Sequence, residues 1–167
     1  MNNKLTLSQT NLGVSILFLQ IILFSSYYFI IKNFDNNLFW GRIKNQTYKN
    51  YFLIIALFAY ILNLCLYFYF VFKKNVDDKV IFKVFLTLIV YYGLQLYFLP
   101  STLIKNKIYT RILLGICILP ILYLCLITFK YATTVKNIYE KIFLYITSLL
   151  PFLHVFINDF LLYSFSL

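Results

Sequence analysis

Five apolar blocks run through this chain, at about 12–31, 51–72, 80–99, 112–129 and 142–162, and polar residues collect between them. Every Lys and Arg lies between blocks or within a turn of a block's end. Of the five acidic residues only Asp159 falls inside a block. Each block has roughly the 20 apolar residues that cross about 30 Å of hydrocarbon. A charge at the centre of that layer costs several kcal/mol, which explains why the blocks are kept clear of it. Spans in lipid must satisfy their backbone internally, and no block alternates with the period of two that a barrel strand needs. The pattern therefore predicts an all-α protein, an integral membrane bundle of five transmembrane helices forming one domain over residues 1–167.

Between the blocks the chain reads as a polar arm at 1–11, a long first loop at 32–50 and a charged turn at 73–79. The third span is expected to stop at Pro100, and a basic segment at 105–111 leads into the fourth. A connector at 130–141 leads into the fifth. The first block is too long for the apolar core of a signal peptide and has no small-residue cleavage site, so it reads as a retained span. Five crossings put the two termini on opposite faces. The orientation is undecided, because the two sides carry seven and eight basic residues.

Composition sharpens this picture. Apolar residues make up 62% of the chain, against about 45–50% in soluble domains. The abundant residue types are those with AT-rich codons, which points to an AT-rich genome: an organelle, an AT-rich protist or a large DNA virus. The same bias accounts for much of the 22% aromatic content. A net charge of +10 would suggest nucleic acid in a soluble protein. Here the basic residues flank spans, where they meet anionic lipid head groups, and no nucleic-acid partner is expected. Cys65, Cys117 and Cys125 lie within apolar blocks and read as small apolar side chains, not as a disulfide framework or metal site.

Polar groups at membrane depth each need a reason. Gln20, Asn63 and Gln95 fall near the middle of spans one, two and three. They read as hydrogen-bonding partners between helices, or as the lining of a polar cavity. In span five His154 and Asn158 are four apart and share an α-helical face one turn beyond Pro151, with Asp159 offset by about 100° from Asn158. A His and a carboxylate could relay protons. Asp159 lies close enough to the end of the span to reach the interface and be solvated there. Pro120 and Pro151 each remove a backbone donor within a block, and Pro100 does so at the end of the third.

No catalytic class finds its residues. A single His excludes the His-Glu-x-x-His zinc site, and there is no phosphate-binding glycine loop. Neither a catalytic residue, a metal site nor a cofactor is predicted, so the chain is not expected to be an enzyme.

Leu94-Gln95-Leu96-Tyr97-Phe98-Leu99-Pro100 ends the third block, and Ile157-Asn158 lies near the end of the fifth. Together with five spans and a longer first loop, these segments resemble the TspO or translocator protein family. In that family the third span ends Leu-Asn-x-x-Trp-Pro-Pro and the fifth carries a Leu-Asn pair. Leu94 and Pro100 match, while Gln95 stands for Asn and Phe98 for Trp. The first loop departs from the family's Trp- and Pro-rich loop, with Trp40 alone and no Pro. Residues 38–43 also resemble a segment in uncharacterised five-span proteins of large DNA viruses. The family resemblance implies an apolar or tetrapyrrole-like ligand held between the helices, with Gln95, Phe98 and Asn158 as the ligand-binding positions. Two other readings follow from the residues alone. One is an accessory structural subunit of a large membrane complex, such as an organelle-encoded respiratory subunit in the mitochondrial inner membrane. The other is a proton or ion pathway through His154, Asp159 and the mid-span amides. The expected partners are the lipid bilayer together with other membrane subunits or a second copy of the chain. The membrane is a mitochondrial inner membrane or a viral or host membrane.

Overall fold

The helices begin where a polar side chain can cap them. In the computed structural model, which describes residues 5–33, 45–103 and 107–163, α1 spans Leu7–Asn33 and opens on a capping box. The Thr6 amide donates to Gln9 Oε1 at 3.1 Å and the Gln9 amide to Thr6 Oγ1 at 3.2 Å, satisfying two backbone donors reciprocally. Asn45 caps α2 (Gln46–Phe72) by accepting from the Thr47 amide at 2.8 Å. Asp77 does the same for α3 (Asp78–Leu103), accepting from Lys79 at 2.8 Å. After α4 (Lys107–Ala132), Asn137 caps α5 (Ile138–Leu153) by accepting from Tyr139 at 2.9 Å. In the turn before Asp77, Asn75 takes a left-handed φ of 59°, which Asn tolerates better than most side chains.

These caps lie outside the apolar blocks, so the helices overrun the predicted spans. The expected polar arm at 1–11 is helical from Leu7, and the connector at 130–141 shrinks to residues 133–137. The third span does not stop at Pro100. α3 continues to Leu103, because losing one backbone donor interrupts a helix without ending it where the rest of the ladder is intact. The first loop beyond Asn33, with Asp35, Trp40, Arg42 and Lys44, lies outside the described residues.

The first four helices, and α5 together with the π-helical continuation at 154–163, contain stretches long and apolar enough to cross a membrane, from 20 to 27 residues each, and no described residue is in a strand. The chain is an all-α, multi-pass membrane protein. Its outer faces carry Leu17, Ile21, Ile54, Phe58, Phe82 and Leu119, each more than half exposed. An apolar belt of that extent is stable in lipid and an aggregation surface in water.

The helices close into a ring. α1 packs on α3, α3 on α4, α4 on α5, α5 on α2, and α2 back on α1. One face of the bundle holds the start of α1 and the turns at 73–77 and 133–137; the opposite face holds the ends Asn33, Gln46, Leu103 and Lys107. The half nearer the first face is tightly filled. Leu12, Ile16, Leu66, Tyr67, Phe70, Val84 and Leu88 have no exposed surface. On that face Lys73 pairs with Glu140, the Tyr69 hydroxyl donates to the same carboxylate, and the Lys73 ammonium lies 5.8 Å from the Tyr69 ring centre. These contacts pin the end of α2 to the start of α5.

Candidate functional site

The other half of the bundle is not filled. A cavity of about 410 Å³ lies between the helices there, and all five helices contribute to its wall. α1 supplies Leu23, Phe24 and Tyr27, and α2 supplies a strip from Phe52 to Asn63 that includes Ala56 and Ala59. α3 adds Tyr91, Tyr92 and Gln95, and α4 adds Leu114. α5 closes the ring with Pro151, followed by His154, Val155 and Asp159. The small side chains of Ala56 and Ala59 leave the space. Phe24, Leu53 and Leu57 line the cavity and are still 58%, 55% and 59% exposed, so it opens sideways between α1 and α2 toward the lipid.

The polar side chains singled out by the sequence converge on this space. Gln95, Asn63, His154 and Asp159 all line it. Gln20 stands just behind the wall and accepts a hydrogen bond from the Tyr60 hydroxyl, linking α1 to α2 as an interhelical amide should. Asn158 does not line the cavity; its side chain holds His154 instead. Phe98 lies in α3, but its side chain is outside the described residues.

The arrangement of His154, Asn158 and Asp159 depends on a change of helix type. From His154 to Tyr163 the backbone is a π-helix, which closes i→i+5 hydrogen bonds and turns by about 80° per residue. In an α-helix residues five apart point about 140° away from each other. In the wider π-helix both i+4 and i+5 come back near the face of residue i. Asn158 and Asp159 therefore both reach His154. Asn158 Nδ2 is 2.9 Å from His154 Nδ1, and His154 Nε2 is 3.5 Å from Asp159 Oδ1. Asn158 thus holds the imidazole through Nδ1, and the other ring nitrogen, Nε2, faces the carboxylate. Asp159 accordingly lines the cavity wall, with about a quarter of its side chain still exposed. No third His, Cys, Asp or Glu among the described residues joins the pair to form a metal site.

The π-helix follows an interrupted ladder. Pro151 has no N–H to offer the carbonyl of Thr147, and the hydroxyls of Thr147 and Ser148 bond back to Phe143 and Leu144 at 2.7 Å each. Opposite the π-helix, α4 can approach because Gly115 has no side chain: a Cβ there would stand 3.3 Å from the Phe160 ring.

The cavity wall also holds polar atoms without partners. Asn63 Oδ1 and the Tyr92 hydroxyl are shielded from solvent and make no hydrogen bond, and the same is true of Gln20 Nε2 and the Tyr67 hydroxyl just behind. Tyr92 lies beside Gln20 and Tyr67 beside Asn63, but neither pair meets bonding geometry. Sequence reading missed Tyr60, Tyr91 and Tyr92. Their signal was a hydroxyl at the depth of the mid-span amides, hidden among aromatic residues abundant for reasons of codon supply. Comparison with protein-family models, curated proteins and solved structures finds no match to this chain.

Proposed function

We propose that the chain is a non-catalytic membrane protein that binds an apolar small molecule in the cavity between its helices. The observation that carries this reading is the cavity itself: about 410 Å³, walled by all five helices, mostly apolar, with a few polar groups among its lining. Ligand sites combine these properties, with volumes of about 300–1,000 Å³. The lateral opening between α1 and α2 suits a molecule that partitions into lipid before it binds. The resemblance to the translocator family implies a ligand between the helices as well. The same architecture weighs against a through-path for ions or protons, because the half of the bundle beyond the cavity is filled by Tyr67, Phe70, Leu88 and their neighbours.

The test is gentle extraction of the full chain from its native membrane, followed by native electrophoresis and native mass spectrometry. The expected result is a small particle that carries a bound apolar molecule, which the variant Ala56→Trp fails to retain. Migration inside a large assembly, with no small molecule bound, would overturn the proposal in favour of a structural subunit.

A further inference from the structure

Resting on that reading, we infer that the ligand is a lipophilic organic cation, an apolar amine whose ammonium group sits against Asp159 within a ring of aromatic side chains. The charge balance of the wall points to it. Among the described lining residues Asp159 is the one acidic side chain, and there is no Lys or Arg. Its nearest partner, His154 Nε2, is 3.5 Å away, too long for a strong hydrogen bond, which leaves carboxylate lone pairs open toward the cavity. A carboxylate at membrane depth is costly unless a cation accompanies it, and the ammonium group of a ligand in the cavity would supply one.

The remaining wall agrees. Phe24, Tyr27, Phe52, Tyr60, Tyr91 and Tyr92 surround the space, and aromatic faces attract cations most strongly where water is excluded. A carboxylate-bearing ligand would instead face Asp159 without a compensating cation. A neutral hydrocarbon would fill the volume and leave Asp159 unanswered.

The experiment uses the full chain in lipid nanodiscs and three probes of one shape. They are a diphenylalkyl dimethylamine, its isopropyl isostere with carbon in place of nitrogen, and the matching carboxylate. The amine should bind about 30-fold or more tighter than the isostere, the factor that corresponds to losing one partner of a buried charge pair, and the carboxylate should bind weakest. Asp159→Asn should abolish the preference for the amine while retaining the isostere. Asp159→Glu, which keeps the charge, should preserve the preference and exclude a folding defect as the cause. Ala56→Trp should block every probe. Equal binding of amine and isostere, both lost in Ala56→Trp, would overturn the cation inference and leave the cavity as a ligand site. Binding of none of the probes, or binding indifferent to Ala56→Trp, would overturn both.

Discussion

Gln20 and Tyr60 show what a single polar contact is worth at this depth. The Tyr60 hydroxyl donates to Gln20 Oε1, while Gln20 Nε2 already lacks a partner. Removing the hydroxyl by Tyr60→Phe leaves both ends of the amide unsatisfied, and the loss should be about 1–2 kcal/mol of stability in detergent unfolding. Replacing both partners, in Gln20→Leu with Tyr60→Phe, removes the unmet polar groups along with the bond. The double variant should lie within about 0.5 kcal/mol of the parent or above it, an interaction energy that a double-mutant cycle reads directly. An additive double variant would mean that the contact is energetically idle. Asn63, Gln95, His154 and Asp159 were legible in the sequence for the reason this pair is costly: a polar atom in hydrocarbon stands out. Their convergence on one cavity was not legible, because a side chain's depth along a span says nothing about the direction in which it points.

At the scale of elements, helix number followed from block length, since hydrocarbon thickness fixes how many residues a span requires. The helix ends did not, because they are set by capping residues that stand in polar segments. Gln9 illustrates the difference. It closes the capping box at the start of α1, and its Nε2 also donates to the backbone carbonyls of Phe70 and Lys73 at 3.3 and 2.7 Å, at the end of α2. One side chain thus satisfies the orphan groups of two helix termini. Gln9→Ala should cost about 2–3 kcal/mol, more than the roughly 1 kcal/mol of an ordinary cap, because buried carbonyls are left open as well. Thermal unfolding against Asn45→Ala, a cap with no second helix to hold, provides the comparison. The π-helix from His154 to Tyr163 is the element least accessible to sequence reading. A pattern analysed at α-helical periodicity puts Asp159 well away from the face of His154, and only the wider turn brings the two together.

At the scale of the molecule, the ring order could not be read from the pattern of apolar residues. In water an amphipathic stripe marks the buried face, but in lipid the outer face is as apolar as the core, so the stripe disappears. The consequence is a bundle whose halves differ in a way only the structure reveals: filled near the turns at 73–77 and 133–137, hollow and open to the lipid near the other ends. This asymmetry separates a binding pocket from a conduit. With Cys65, Cys117 and Cys125 replaced by Ser, single cysteines can be placed at Ala56 in the cavity, Leu88 in the filled half and Ile54 on the outer face. Membrane-permeant N-ethylmaleimide should modify Ala56→Cys and Ile54→Cys and leave Leu88→Cys unmodified. The diphenylalkyl amine should protect Ala56→Cys while leaving Ile54→Cys reactive, since only the former lies where the amine sits. Membrane-impermeant reagents should fail to reach Ala56→Cys from at least one side. Labelling of both Ala56→Cys and Leu88→Cys by impermeant reagents from both sides would mean that water runs through the whole bundle, and the pocket would have to be read as part of a pathway.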